Sequence, residues 1–111
     1  EKMDYPIERY TNESGRLYRI LDKRLGETEY LAGDSYTIAD IATFPWSRSP
    51  ERRGQNIEDL PNVKRWINNI QARPAVKTAL KVLENYQSKP TDKIDDATRS
   101  IMFGTKQFEK R

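Results

Sequence analysis

The sequence contains no histidine and no cysteine among its 111 residues. Those absences exclude a serine–histidine or cysteine–histidine nucleophile pair, a zinc site built from the usual ligands, and any disulfide framework. Whatever chemistry the chain takes part in must rest on Asp, Glu, Tyr, Lys or Arg. There is no secretory signal and no run of about 18 apolar residues, so a soluble, cytoplasmic protein without a membrane span is expected. Apolar residues make up only 35% of the chain against 33% charged, a leaner core composition than globular domains usually carry. Either part of the chain is disordered, or it borrows burial from a partner surface. The net charge is +3, with acidic and basic residues interspersed, which lacks the concentrated basic face that phosphate backbones require, so nucleic acid is not an expected partner.

What is present begins with Tyr36-Thr37-Ile38-Ala39-Asp40-Ile41. Thr37 can cap a helix by accepting from the backbone N–H three residues on, while Asp40 reaches back to the N–H of Thr37 in a short-armed capping box. Tyr36 and Ile41 stand where a hydrophobic staple would form. The helix that follows carries Ile38, Ala39, Ile41, Ala42, Phe44 and Trp46 around its circumference, which predicts a helix buried on all sides at the centre of a bundle. Thr37 and Asp40 are therefore read as structural capping residues.

Around that centre the periodicity predicts three more helices. The first runs from about Pro6 to Leu25, with Ile7, Tyr10, Leu17, Leu21 and Leu25 on one stripe and Gly26 placed to end it. Gly15 interrupts it, either as tolerated surface or as a point of close approach by another element. Residues 27–36 form a loop in which Tyr30 and Leu31 tuck inward and Gly33-Asp34 turns the chain. Pro45 ends or kinks the central helix, and Ser47 to Asp59 is a loop with room for a helical turn. A third helix begins near Leu60-Pro61 with Val63, Trp66, Ile67 and Ile70 facing a core, and Arg73-Pro74 closes it. Pro74 opens a fourth, with Ala75, Val76, Ala79, Leu80, Leu83 and Tyr86 as its buried stripe. The fold class is all-α, a helical bundle over residues 1–86 followed by an extended charged tail over 87–111. Within the tail, Asp95 or Asp96 can cap a short helix at 96–103 that Gly104 ends. The string Asp92 to Asp96 lacks the ligand spacing and glycine of a calcium loop and reads as solvated charge, so no metal site is expected.

The run Tyr30-Leu31-Ala32-Gly33-Asp34, then Tyr36-Thr37-Ile38-Ala39-Asp40, Pro45-Trp46, Leu60-Pro61-Asn62-Val63-Lys64-Arg65-Trp66 and Ala72-Arg73-Pro74-Ala75-Val76 resembles the C-terminal helical domain of glutathione transferases. The likeness covers residues 5 to 86. Tyr5-Pro6-Ile7-Glu8-Arg9-Tyr10-Thr11, Leu21-Asp22-Lys23-Arg24-Leu25 and Arg52-Arg53-Gly54-Gln55 look most like the bacterial Nu-class and fungal prion-related enzymes, which act on disulfides using glutathione. The resemblance implies a thioredoxin-like N-terminal domain as partner. That domain would bind most of the glutathione co-substrate and carry the activating group, so no catalytic residue is expected in this chain and the chain alone should be inactive. It also implies a homodimer and a small electrophile or disulfide as second substrate. Arg9 is then a candidate to contact glutathione, since a guanidinium fork suits a carboxylate, although a surface salt bridge to Glu8 or Glu13 would explain it equally. Tyr5, Tyr10, Trp46, Arg52 and Arg53 are candidates to line the second-substrate pocket, against the alternative that the aromatic rings simply pack. A rival reading is a non-catalytic helical interaction module of the kind that assembles translation factors and synthetases.

Overall fold

Five helices follow one another in the computed structural model, which describes residues 3–86 and 95–104. They are α1 (Asp4–Glu27), α2 (Ile38–Ser47), α3 (Pro61–Ala72), α4 (Pro74–Glu84) and α5 (Asp96–Phe103), with a 3-10 turn at Pro50–Arg53 between α2 and α3. The chain divides into two compact units, Glu1–Thr78 and Ala79–Arg111.

The first unit holds the core. Tyr18 and Leu25 of α1, Phe44 of α2, and Val63, Trp66, Ile67 and Ile70 of α3 are buried, with Leu21, Tyr30, Leu31, Ile57 and Val76 packed against them. On α3 the buried positions are those the helical period predicts, so one stripe of that helix is the floor of the unit. Each such side chain contributes about 1.5–3 kcal/mol by leaving water. Phe44 meets Trp66 edge-on, with ring centres 6.1 Å apart, the arrangement that sets one ring's positive edge on the other's negative face.

Two polar devices lock the helices together. The first is the predicted cap of α2: Asp40 Oδ2 accepts from Thr37 N–H at 2.9 Å and Thr37 Oγ1 accepts from Ala39 N–H at 3.3 Å. Asp40 does more than cap. Its Oδ1 also accepts from the Trp66 indole N–H at 2.8 Å and from Leu31 N–H at 3.1 Å, so one fully buried carboxylate ties the 27–36 loop, α2 and α3 into one network. The second device is reciprocal. α3 has no capping side chain of its own at Leu60; instead Asp22 of α1 accepts from Asn62 N–H at 2.9 Å and Val63 N–H at 3.0 Å. In return Arg65 of α3 donates to Leu25 O at 2.7 Å, satisfying a carbonyl in the last turn of α1.

Several sequence expectations give way here. Gly26 does not end α1, which continues to Glu27 and is capped by Thr28, whose N–H and hydroxyl both donate to Arg24 O. Pro45 does not end α2 either; the helix runs on to Ser47, where Arg48 N–H donates to Phe44 O and the Tyr18 hydroxyl donates to Ser47 O at 2.9 Å. The staple between Tyr36 and Ile41 is replaced: Tyr36 stands edge-on to Tyr30 with the Arg73 guanidinium 4.0 Å above its ring, and Ile41 is exposed. Nor is α2 buried all round. Its buried residues Asp40, Phe44 and Ser47 lie on one stripe, while Ile38 is 83% and Trp46 72% exposed. The reason is coverage: α1 and α3 meet α2 from one side. In α1 the buried stripe is Tyr18 and Leu25 with Leu21 half-buried, whereas Ile7, Tyr10 and Leu17 are exposed.

The predicted stripe of α4 is also open: Val76 and Leu80 are half-buried, and Ala75, Ala79, Leu83 and Tyr86 are exposed. The unit boundary falls after Thr78, so only the first turn of α4 belongs to the unit with the core. In the second unit α5 is capped by Asp95, which accepts from Thr98 N–H at 2.7 Å, and Gly104 follows its last turn. The rest of the tail, with Asp92 to Ile94 of the acidic string, lies outside the described residues.

Candidate functional site

The exposed face of the first unit carries three adjoining hollows, and the candidate residues fall among them. Tyr5, Arg9 and Tyr10 border an open groove of about 540 Å³ along the first half of α1. Tyr10 also borders a second hollow of about 530 Å³, whose far wall is Arg52, Arg53 and Gly54. Arg53 in turn reaches a third, a cleft of about 460 Å³ between α1 and α2 lined by Leu17, Ile20, Leu21, Leu31 and Trp46. Tyr10 is thus shared by the first two hollows, and Arg53 with Ser14 by the second and third. The structure brings Tyr5, Arg9 and Tyr10 together, and separately Tyr10 with Arg52 and Arg53, and Arg53 with Trp46, its guanidinium 6.0 Å from the indole centre. Arg9 and Trp46 do not share a hollow.

Helical spacing places the first group. Positions 5 and 9 stand one turn apart on α1, so their side chains are neighbours. Among the described residues Arg9 makes no ion pair within 4 Å; Glu13 is held by Arg16, whose Nε and Nη2 donate to its two oxygens at 2.8 and 2.7 Å, and feels Arg9 only as a weaker, more distant charge. That pairing holds the Glu13 carboxyl below its ordinary range, chiefly through the hydrogen bonds from Arg16. No ion pair to Arg9, Arg52 or Arg53 occurs among the described residues. Tyr5 and Tyr10 do not pack against the described residues of this chain: they are 73% and 68% exposed.

The second group is placed by a clamp. Gln55 Nε2 donates to Thr11 O on α1 at 2.7 Å and to Arg53 O at 3.0 Å, bolting the arginine-bearing turn onto the helix. Gly15 makes room for it, since a methyl group there would stand 2.9 Å from Gln55 Oε1. Of the two readings of Gly15, close approach is the one observed. Gly54, at φ +65°, adopts the left-handed turn that ends the 3-10 segment. Gln55 is the member of this site that residue-type reasoning passed over; its amide is neutral and its partner lies 44 positions away.

Tyr18 lies beneath the cleft, its hydroxyl on Ser47 O. Burial raises its pKa; Arg53 opposes that shift and Glu51 adds to it. The phenol stays protonated and serves as a donor, holding α1 to the end of α2.

A sequence model of the family described as "Glutathione S-transferase, C-terminal domain" matches residues 8–74, more than half of the chain and nearly all of its core unit. The chain belongs to the glutathione transferase family. The disulfide-bond oxidoreductase YfcG of Escherichia coli is 42% identical over 80 residues, covering 72% of this chain and 37% of that protein. The disulfide-bond oxidoreductase YghU of the same organism is 39% identical over 83 residues, covering 68% and 29%. Glutathione S-transferase F13 of Arabidopsis thaliana is 37% identical over 71 residues, covering 62% and 32%. The chain thus spans about a third of the length of these curated relatives, and what it matches is a glutathione transferase C-terminal domain. The all-α bundle of the first unit is that domain's architecture. No helix among the described residues is long and apolar enough to cross a membrane.

Proposed function

We propose that the chain acts as the helical domain of a longer glutathione-dependent enzyme, with disulfide reduction as its principal reaction and conjugation of a small electrophile as the lesser one. In that reaction two glutathione thiols give up two electrons and two protons to a disulfide, yielding glutathione disulfide and two product thiols. A thioredoxin-like domain binds most of the glutathione and supplies the activating group, in a cytoplasmic homodimer. This chain supplies Arg9 to a glutathione carboxylate, and Tyr5, Tyr10, Trp46, Arg52 and Arg53 to the wall of the second-substrate pocket.

The observation that carries the reading is that Arg9, which makes no ion pair among the described residues, lines one groove with the exposed Tyr5 and Tyr10, in a chain similar to two proteins named disulfide-bond oxidoreductases. A guanidinium fork matches a carboxylate in two parallel hydrogen bonds. The exposed apolar face of α2, Ile38, Ile41 and Trp46, further supports a parent in which another domain covers part of this surface.

The test is a steady-state comparison in a longer protein that contains this chain, with and without Arg9→Ala. Loss of a charge-assisted contact of about 1.5–3 kcal/mol should raise the KM for glutathione about 10- to 100-fold. A KM that ignores the substitution would refute the role given to Arg9, and a longer protein with no glutathione-dependent turnover would refute the reading and favour an interaction module.

A further inference from the structure

We propose that the hollow between α1 and the Pro50–Arg53 turn is a carboxylate-binding site that selects anionic, part-apolar second substrates, with Gln55 as its positioning residue. The inference rests on the second-substrate role proposed above and names the class of molecule that fits there.

One side of the hollow is Pro6, Ile7 and the ring of Tyr10; the other is Arg52 and Arg53 at the head of the turn. An apolar body with one anionic end matches that division, because the rings and methyl groups cover carbon while the two guanidinium groups offer forked donors to a carboxylate. The acidic groups nearby do not use up those cations. Glu13 is engaged by Arg16, and Glu51, which sits within the same turn, forms no ion pair with either arginine among the described residues. Arg53 also stands over Trp46, which limits how its side chain can swing.

The turn is fixed as well as charged. The Gln55 amide holds Arg53 O and Thr11 O at once, so the backbone of Arg53 itself is registered against α1. Gly15 leaves the space in which that amide sits. A neutral residue that touches no ligand thereby sets the position of a charged one that does, and its loss should cost selectivity before it costs helix content.

The experiment is direct binding to the 111-residue chain, which needs no turnover. Because the chain has no cysteine, an aromatic disulfide binds it without reacting. Calorimetric titration would compare dithiodibenzoate, with a carboxylate on each ring, against its neutral dicarboxamide, with circular dichroism as the check on folding. The expected result is at least about tenfold tighter binding of the carboxylate. That ratio should fall toward one in the Arg52→Gln, Arg53→Gln double variant and in Gln55→Ala, and stay unchanged in Arg99→Gln, which removes the same charge from α5. Equal affinities for the two compounds, no binding at millimolar concentration, or a ratio insensitive to Gln55→Ala would overturn the proposal. A longer protein that reduces disulfides while this titration fails would remove the site assignment and leave the proposed function standing.

Discussion

Replacing Asp40 should be among the most damaging single changes available in this chain. Its carboxylate accepts from Trp66 Nε1–H, Thr37 N–H and Leu31 N–H at 2.8, 2.9 and 3.1 Å, and both it and Trp66 are 0% exposed. Asp40→Ala strands those three donors at once. A buried donor left unpaired costs about 1–3 kcal/mol, and water can reach the half-buried Thr37 and Leu31 more easily than Trp66. The total should come to about 3–5 kcal/mol, against about 5–15 kcal/mol for a whole domain. Asp40→Asn keeps one oxygen for Trp66 and Leu31 but turns an NH2 toward Thr37 N–H, so it should cost about half as much. Urea unfolding followed by tryptophan fluorescence reads the difference, with Trp46→Phe as background because Trp46 is exposed and would blur the signal. At a slope of about 1–1.5 kcal/mol per molar the Asp40→Ala midpoint should fall by about 2–5 M. A loss under about 1 kcal/mol for Asp40→Ala, or a larger loss for Asn than for Ala, would refute the network argument. The same network predicts a pH dependence. Burial alone would raise the Asp40 carboxyl, but the hydrogen bonds from Thr37, Trp66 and Leu31 outweigh it and hold it below its ordinary value of 3.8. Its stabilising contribution is therefore complete above that value and lost as pH falls through the lower folded one. The acid limb of the stability curve should flatten in Asp40→Asn.

Asp22→Ala removes the side-chain cap that α3 receives from α1 and should cost about 2 kcal/mol in urea unfolding, since two backbone donors lose their acceptor; a loss within error would show that α3 needs no cap from α1. Tyr18→Phe strands the buried Ser47 carbonyl and should cost about 1–2 kcal/mol by the same assay, with no cost if water replaces the phenol. Gly15→Ala sets a helix-propensity gain of about 1 kcal/mol against the lost Gln55 clamp. Its net stability should stay within about 1 kcal/mol of the parent while hydrogen exchange at residues 53–55 speeds up; unchanged exchange would mean that Gln55 holds nothing.

Where the fold depended on neighbours a few residues apart, the sequence made it legible. The spacing of Val63, Trp66, Ile67 and Ile70 marked the buried stripe, the Arg73-Pro74 pair marked the break between α3 and α4, and Thr37 with Asp40 spelled out a cap. What stayed hidden were contacts between residues distant in sequence. Nothing local in Asp22 or Arg65 distinguishes a reciprocal helix cap from two surface charges, and nothing in Asp40 beyond its box reveals that its second oxygen serves Trp66, 26 positions on. Composition misled at α2: its apolar residues argued for burial all round, whereas only Asp40, Phe44 and Ser47 are buried and Ile38, Ile41 and Trp46 stand exposed among the described residues. At the candidate site the residue types were readable and their grouping was not. Arg9 and Arg53 look alike in sequence, yet one borders a groove along a single helix and the other joins two hollows across a turn whose placement depends on Gln55.

The initial rate of glutathione-dependent reduction of hydroxyethyl disulfide, measured on a longer protein that carries this chain with and without Arg9→Ala and on the 111-residue chain alone, tests the central claim most directly. The account predicts turnover by the longer protein, at least about a tenfold fall in kcat/KM for glutathione on Arg9→Ala, and no rate above solution for the chain alone. Turnover by the isolated chain, or a longer protein indifferent to Arg9→Ala, would contradict it.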